Sequence, residues 1–289
     1  LSRSCALTGS PRRSDLKRLA AYAKDPLDKS ALMRMASKEG KEEYKDKVVG
    51  GHVGFVDVIS KLCPSISMTL EHFIGVCPRL LPRYYTISSS SAVHPDSIHL
   101  TVAVTQTTKR DGGVYMGVCS SHLANMKEGG TVSVFCRDSS FRLPADSARP
   151  IVLIGPGTGV APMRALLQER SHQSLHLGLP VGENVLYFGC KRPDQDYIYR
   201  DELAKFKKDG VLGELRVAFS REGERKVYVQ HLLAQNSAET YNLIHEEKAS
   251  VYVCGGTKMG HDVSDALRSI VSEEGKMSGD EARSYLDGM

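Results

Sequence analysis

Residues 155–162 have the clearest chemical potential in this sequence, reading Gly-Pro-Gly-Thr-Gly-Val-Ala-Pro. The apolar run 151–154 precedes them directly, and Pro162 suits the first turn of a helix that follows. Glycines let a backbone approach a pyrophosphate closely, and the amides at a helix start favour anions. We interpret this glycine-rich turn as a candidate pyrophosphate site, although the spacing is not G-x-G-x-x-G and a ligand-free turn is the alternative.

The residues after the next predicted strands indicate which nucleotide would bind. An NAD site would place an acid about 20 residues on, against the ribose hydroxyls, but the second strand ends without one. The third strand ends at Ser220 and Arg221, followed by Lys226 and Tyr228. These groups suit a phosphate dianion with an adenine stacked nearby, so they predict NADPH rather than NADH. A solvated polar loop is the alternative interpretation.

Cys254 closes the fourth apolar run, followed by Gly-Gly. Ligands bind at the carboxyl edge of parallel sheets, where this cysteine is expected. A small buried apolar residue, the usual state of a free cysteine, is the alternative.

Two weaker motifs lie upstream. Residues 83–90 read Arg-Tyr-Tyr-Thr-Ile-Ser-Ser-Ser. Taken alone, this run is consistent with a cross-strand pair of aromatic residues whose polar neighbours face outward. Residues 117–120 read Gly-Val-Cys-Ser and predict a glycine turn that opens a short helix, a second amide cluster suited to an anion.

The elements that must position these residues fall into three regions. Residues 12–80 show helical spacing of apolar positions, interrupted at Asp25-Pro26. Between 84 and 141 the period becomes two, notably at 98–104 and 132–136, and predicts antiparallel β-structure. Beyond Pro150, continuous apolar runs alternate with helical segments, which predicts a parallel sheet covered on both faces. The predicted fold class is α/β plus antiparallel β.

Composition excludes several classes of protein. The 289 residues are 41% hydrophobic and 25% charged with a net charge of +4, which gives no reason to expect a nucleic-acid partner. No apolar stretch approaches the ~20 residues of a membrane helix, so we expect no membrane contact by this segment. The 7 cysteines form no C-x-x-C pair and fit a reducing, cytoplasmic setting. Because the sequence starts with Leu1 rather than Met, we expect a fragment of a longer protein.

The order of the motifs resembles the diflavin reductases: Arg-x-Tyr-Thr, Gly-Val-Cys-Ser, Gly-Pro-Gly-Thr-Gly, Ser-Arg…Lys-x-Tyr and Cys-Gly-Gly. The resemblance runs along nearly the whole chain and implies a ferredoxin-NADP-reductase-like fold. It implies a helical connecting segment at 1–80, an incomplete FAD-binding β-barrel at 81–145 and an NADP-binding α/β domain at 146–289.

The resemblance also implies roles for individual residues. Thr86 and Cys254 are the implied catalytic residues, and no metal is called for. The implied FAD contacts are Arg83, Tyr84, Tyr85, Thr86, Thr101, Val102, Ala103, Gly117, Val118, Cys119 and Ser120. The implied NADP contacts are Gly157, Thr158, Ser220, Arg221, Lys226, Tyr228, Gln230 and Asp262.

The implied activity is hydride transfer from NADPH to FAD, with electrons passing through FMN to a haem protein such as cytochrome P-450. We expect the FMN domain and the first barrel strands before Leu1, and the family's acidic and aromatic flavin-covering residues have no counterpart before Met289. Attachment to the cytosolic face of the endoplasmic reticulum is expected if the full-length protein is anchored. The alternatives are a sulfite-reductase-type flavoprotein, a single-flavin ferredoxin–NADP reductase type, which would lack the helical insertion, and an inactive nucleotide-binding fragment.

Overall fold

A computed structural model describes residues 4–289. The chain divides into two compact units, each formed by two segments. The first comprises Leu1–Tyr84 and Ala103–Val132, and the second comprises Tyr85–Val102 and Ser133–Met289. The three domain ranges predicted from the sequence stay a prediction.

The first unit is mainly helical, as the spacing of its apolar residues predicts. The side chain of Asp25 caps α2 by accepting a hydrogen bond from the Leu27 amide (2.8 Å), and Pro26 occupies the first turn. The helices bury a common apolar core that includes Leu16, Leu32 and Phe55. Helices α1 to α5 span Arg13–Leu19, Pro26–Ala36, Lys41–Tyr44, Phe55–Asp57 and Leu70–Val76, with wider π-helical turns at Lys45–Val49 and Val58–Leu62.

A short antiparallel hairpin belongs to the same unit. Strands β1 (Gln106–Thr108) and β2 (Val114–Met116) pair in register, and α6 (Val118–Ala124) follows. Lys109 Nζ lies 2.7 Å from Asp57 Oδ2, an ion pair that ties the hairpin to α4. Partial burial by itself would raise the pKa of Asp57, but hydrogen bonds from Lys109 and the Gly54 amide outweigh it and hold the pKa below its usual range.

The predicted strands at 98–104 and 132–136 are wrong in their detail. Among the described residues, segment 98–104 has one isolated β-bridge, Ile87↔Leu100, and forms no strand. Segment 132–136 forms no strand either. An extended segment becomes a strand through hydrogen bonds to a neighbour, and its apolar face is buried only by packing on another layer. Here the apolar side chains stay exposed, Ile98 at 56% and Val134 at 74%.

The second unit contains the predicted parallel sheet, so the combination of α/β and antiparallel β is confirmed. Strands β3 (Ile151–Ile154), β4 (Asn184–Cys190), β5 (Glu214–Phe219) and β6 (Ser250–Val253) are all parallel, in the spatial order β5-β4-β3-β6. In this order the next two strands along the chain, β4 and β5, lie on one side of β3, whereas β6 lies on the other side. In such sheets ligands bind at the carboxyl ends of the strands where the order reverses, here between β3 and β6. The helices α7 to α12 span Val160–Ser171, Arg200–Lys208, Val229–Gln235, Ser237–His245, Thr257–Glu274 and Gly279–Asp287.

Helices cover both faces of this sheet. Leu153, Leu186 and Phe188 contribute to the core on one face, whereas Val152 and Tyr187 contribute to the other. All residues of β3 and β4 are buried, which explains why these strands appear in the sequence as continuous apolar runs. Among the described residues, no helix combines the length and apolarity needed to cross a membrane.

Candidate functional site

The glycine-rich turn joins β3 to α7 as predicted. Gly157 has φ of +58°, a left-handed conformation that L side chains rarely adopt. A Cβ on Gly159 would stand 2.1 Å from the carbonyl oxygen of Cys254, so the turn lies directly against the chain that leaves β6. The single turn of 3₁₀-helix at Gly157–Gly159 then leads into α7. This geometry brings a helix amino terminus to the carboxyl edge of the sheet, where its amides favour an anion.

A cavity of about 490 Å³ opens at the same edge. Its size is that of a small-molecule site. Five of the predicted NADP contacts line it, namely Gly157, Ser220, Tyr228, Gln230 and Asp262. Residues from the ends of β3, β4 and β5 and from the first turns of α9 and α11 are therefore brought together by the fold.

Other predicted residues do not line this cavity. The side chains of Thr158, Arg221 and Lys226 are exposed, and Cys254 is half-buried. Among residues 4–289, Arg221 and Lys226 have no side-chain hydrogen bond or ion pair. Burial raises the pKa of the Cys254 thiol, so it stays protonated near neutral pH.

The loops after β4 and β5 are joined by hydrogen bonds beyond the strand ends. The Ser220 amide donates to the Cys190 carbonyl (2.9 Å), and the Arg221 amide donates to the Lys191 carbonyl (2.9 Å). A carboxylate oxygen of Asp196 accepts from the Lys191 amide (2.8 Å) and the Arg192 amide (3.0 Å). The Ser220 hydroxyl also donates to the Cys190 carbonyl (3.3 Å), so this braced wall holds Ser220 and Lys191 at the edge of the cavity that they line.

The opposite wall holds a second polar group of residues. Lys258 Nζ lies 2.9 Å from Asp262 Oδ2, and the side-chain Nε2 atom of Gln230 donates to the same oxygen at 3.5 Å. The Asp262 partner raises the pKa of Lys258. The Oε1 atom of Gln230 is buried and accepts no hydrogen bond from the described residues. A ligand with a donor group in this cavity would satisfy that oxygen.

The residues present fit a phosphorylated nucleotide with an aromatic base. Val227, Val229 and Met259 contribute apolar surface to the cavity, and the phenol of Tyr228 is partly exposed beside it. The ammonium of Lys191 lines the cavity, and the cations Arg221 and Lys226, which have no side-chain partner in the described part of the chain, lie on the adjoining loop. Cations around a hydroxyl favour a phosphate dianion, and apolar walls favour a flat ring.

Sequence reasoning missed several lining residues. Lys191, Asp196, Lys258 and Met259 are not among the predicted NADP contacts, and neither is Cys190, which is buried and whose pKa burial raises to about 11. The usable signal for Lys191 was its place directly after β4, at the edge where ligands bind. The other three positions depend on how the chain folds back on itself.

The predicted FAD contacts are divided between the two units, and those of the first unit are Arg83, Tyr84, Ala103 and residues 117–120. Ser120 is buried, and its hydroxyl accepts a hydrogen bond from the Thr105 amide (3.1 Å). The side chain of Arg83 is exposed and donates to the Leu81 carbonyl. Gly117 precedes α6, whose first amides have no acceptor within the helix. These features fit an anion such as a pyrophosphate.

Tyr85, Thr86, Thr101 and Val102 belong to the second unit. Thr86 is exposed, whereas Tyr85 is half-buried. The hydroxyl of Thr101 forms a hydrogen bond with the Tyr199 hydroxyl (2.7 Å). The exposed hydroxyl of Thr86 is thus available to a ligand, whereas that of Thr101 is engaged by the protein.

Comparisons with known proteins agree with both halves of this description. A family model described as FAD binding domain matches residues 1–122, and one described as Oxidoreductase NAD-binding domain matches residues 153–265. The NADPH–cytochrome P450 reductases of Cavia porcellus and Homo sapiens are each 42% identical to the chain over 289 residues, which is 97% of this chain and 42% of each relative. The reductase of Drosophila melanogaster is 40% identical over 290 residues, with 98% and 42% covered. The chain therefore spans about two fifths of the length of these curated relatives.

Proposed function

Since this chain belongs to the diflavin reductase family, we propose that it is the FAD- and NADPH-binding part of a flavoprotein reductase. When bound, the two cofactors supply the redox chemistry, in which a hydride passes from NADPH to FAD. The protein binds, orients and shields them.

The cavity at the carboxyl edge of the sheet carries this proposal. Ser220 and Tyr228 line it, and the cations Arg221 and Lys226 follow the same strand without partners among the described residues. We propose that these four side chains bind the 2′-phosphate and the adenine, and that Gly157 and Thr158 bind the pyrophosphate. A phosphate dianion there would offset the local positive charge, which the ribose hydroxyls of NADH cannot do.

The residues beside the reacting rings act by hydrogen bonding. We propose that the exposed hydroxyl of Thr86 donates to the flavin and that the half-buried thiol of Cys254 lies beside the nicotinamide. The raised pKa of Cys254 keeps its proton in place, so the thiol serves as a neutral donor and not as a nucleophile. Tyr85 would pack on the flavin ring, with Arg83 and residues 117–120 on the pyrophosphate of FAD.

The wider role is also part of the proposal. The relatives are named NADPH–cytochrome P450 reductases, and the chain spans 42% of their length. We propose that the whole protein carries electrons from FAD through an FMN domain to a haem protein, and that it does so at the cytosolic face of the endoplasmic reticulum if the full-length protein is anchored.

The test is a comparison of two nucleotides in one variant. In a protein that carries Arg221→Ala and Lys226→Ala, we expect NADPH affinity to fall about 100-fold or more, because each charged hydrogen bond is worth about 1.5–3 kcal/mol. NADH affinity should change little, because NADH lacks the phosphate. Binding would be measured by calorimetry with NADP⁺ and NAD⁺, and flavin absorbance would report reduction by NADPH.

The control variant carries Lys208→Ala and Arg283→Ala, two exposed cations on α8 and α12, and changes the net charge equally. It should bind both nucleotides as the unmodified chain does. Equal losses for NADP⁺ and NAD⁺ in the first variant would contradict recognition of the 2′-phosphate. Tight binding of both cofactors without bleaching of the flavin would favour the inactive-fragment alternative.

A further inference from the structure

Residues 85–102 are attached to the nucleotide-binding part of the second unit by a buried polar cluster. The segment folds back on itself through the bridge Ile87↔Leu100 and a hydrogen bond from the Ser88 amide to the His99 carbonyl (2.8 Å). Ser88, Ser89 and Ser90 are buried, although polar residues in a loop are usually exposed. Helix α7 supplies partners for the Ser88 carbonyl and for the Ser90 amide and hydroxyl, whereas the Ser89 hydroxyl accepts from the His99 amide (3.1 Å) within the segment. Helix α8 supports this arrangement through Glu202, which bonds the α7 side chains.

Arg164 of α7 is the central residue of this cluster. Its side chain is 10% exposed, and its Nη1 atom donates to the Ser88 carbonyl at 2.6 Å. Its Nε atom donates to Glu202 Oε2 at 2.5 Å. One guanidinium therefore joins α7, α8 and the segment 85–102.

Gln168 makes a second connection one helical turn later. Its Oε1 atom accepts from the Ser90 amide (3.0 Å), and its Nε2 atom donates to Glu202 Oε1 (2.8 Å). Both oxygens of Glu202 are thus used, one by Arg164 and the other by Gln168. Residues at positions i and i+4 share a helix face, so the two connections act side by side.

Tyr199 completes the cluster from the start of α8. It has φ of +59°, a left-handed conformation that is unfavourable for a tyrosine. Its hydroxyl forms a hydrogen bond with the Thr101 hydroxyl, and the guanidinium of Arg164 lies 4.7 Å from the centroid of its ring. Such strain persists only where the surroundings determine it, and here both contacts hold the ring in place.

Helix α7 begins directly after the turn proposed to bind pyrophosphate. Arg164 is the fifth residue of this helix, about 6 Å along its axis from the first residue. The segment held by Arg164 carries Tyr85 and Thr86, which are proposed flavin contacts, together with Thr101 and Val102, which the family resemblance predicts to be FAD contacts. One rigid helix therefore presents the nucleotide-binding turn at its start and the anchor of the flavin segment one turn later.

We infer that Arg164 is a positioning residue, which together with Gln168 and Glu202 sets the flavin-contacting segment in register with the nicotinamide nucleotide site. The inference rests on the proposed function. Hydride transfer requires the reacting atoms at near contact, and a misplacement of 1 Å can cost about 100-fold in rate. A residue that fixes this spacing affects the transfer step and leaves the nucleotide contacts themselves intact.

The experiment compares Arg164→Met and Arg164→Lys with the unmodified chain loaded with FAD. Methionine keeps the apolar stem without any donor, so we expect flavin reduction at saturating NADPH to slow about 10-fold or more. The affinity for NADP⁺ should stay at the unmodified value. Lysine can reach the Ser88 carbonyl or Glu202 but lacks the planar fork that bonds both, so its rate should be intermediate.

Hydrogen–deuterium exchange supplies a readout that does not depend on turnover. In Arg164→Met the amides of 85–102 should exchange faster, including the Ser90 amide, while β3 and β4 keep their protection. Tyr199→Phe is a milder second variant, because it removes only the bond to Thr101, and it should loosen the same segment if Arg164→Met fails to fold. Arg200→Met is the matched control on α8, since its side chain is exposed, and it should change neither reading.

Unchanged exchange at 85–102 in Arg164→Met would overturn the inference. A parallel fall of NADP⁺ affinity and reduction rate would also overturn it, because general destabilisation would then explain both. If the unmodified chain binds both cofactors without flavin reduction, the proposed function fails, whereas the exchange experiment still decides whether Arg164 anchors the segment.

Discussion

At the scale of single residues, the thiols of this chain differ by burial. Cys136 is exposed, Cys254 is half-buried and Cys190 is buried. Burial raises the pKa of Cys254 and raises that of Cys190 to about 11, because desolvation disfavours the thiolate. A protonated thiol at Cys254 suits a hydrogen-bonding role beside a nicotinamide.

This difference predicts the order of alkylation. The thiolate is the nucleophile, so at pH 8 we expect iodoacetamide to modify Cys136 at least about tenfold faster than Cys254, and Cys190 more slowly still. Labelling of Cys254 should increase as the pH rises toward its raised pKa. Peptide mass spectrometry measures the rates, and unfolding in urea should make them similar. Labelling of Cys254 as fast as Cys136 in the folded protein would contradict the neutral thiol.

At the scale of elements, the turn between β3 and α7 depends on close backbone approach. Gly159 leaves no space for a side chain against the Cys254 carbonyl oxygen. Gly260 in α11 has no atom within 4 Å of the Cβ position, so it is a matched control. Alanine substitutions at the two glycines therefore distinguish a lack of space for a side chain, at Gly159, from the loss of backbone flexibility that either substitution causes.

We expect Gly159→Ala to lower the free energy of unfolding by about 1–3 kcal/mol, because the new methyl group forces the turn away from the chain that follows β6. NADP⁺ affinity should fall with it, since the turn carries the proposed pyrophosphate contacts. Gly260→Ala should instead stabilise the helix by about 0.5–1 kcal/mol. Urea unfolding followed by circular dichroism measures both. An unaffected Gly159→Ala protein would contradict the close packing of the turn.

The hairpin β1–β2 shows how ionic contacts attach one element to another. Lys109 and Asp57 are 18% and 24% exposed, whereas the pair Arg110 and Asp46 is mostly exposed. Screening by water weakens the exposed pair, so the half-buried pair contributes more to holding the hairpin on the helices of the first unit.

At the scale of the whole molecule, the chain comprises two compact units, and the proposed NADP contacts all lie in the second. A ligand that binds only the folded state stabilises the part that binds it. The first unit has its own apolar core around Leu16, Leu32 and Phe55.

We therefore expect NADP⁺ at 100 times its dissociation constant to stabilise the second unit by about 2.7 kcal/mol. Amide hydrogen exchange should slow in β3 to β6 and in α7, while helices α1 to α5 exchange as before. NAD⁺ at the same concentration serves as the control and should protect less. Equal protection of α1 to α5 would show that the two units unfold together.

The sequence by itself determined the parallel sheet, because strands buried on both faces appear as continuous apolar runs and glycines mark the turn that follows. The sequence did not determine the secondary structure of 98–104 and 132–136. Alternating apolar and polar residues predict a half-buried strand, but the strand forms only where a neighbouring strand pairs with it. Only the tertiary structure decided that Lys191, Asp196 and Lys258 line one cavity. Only the tertiary structure shows, likewise, that Arg164 donates hydrogen bonds to both the Ser88 carbonyl and Glu202. Lys258 lies more than 60 positions from Lys191 and Asp196, and Ser88 lies more than 70 positions from Arg164, so no local spacing encodes that these side chains meet when the helices pack on the sheet.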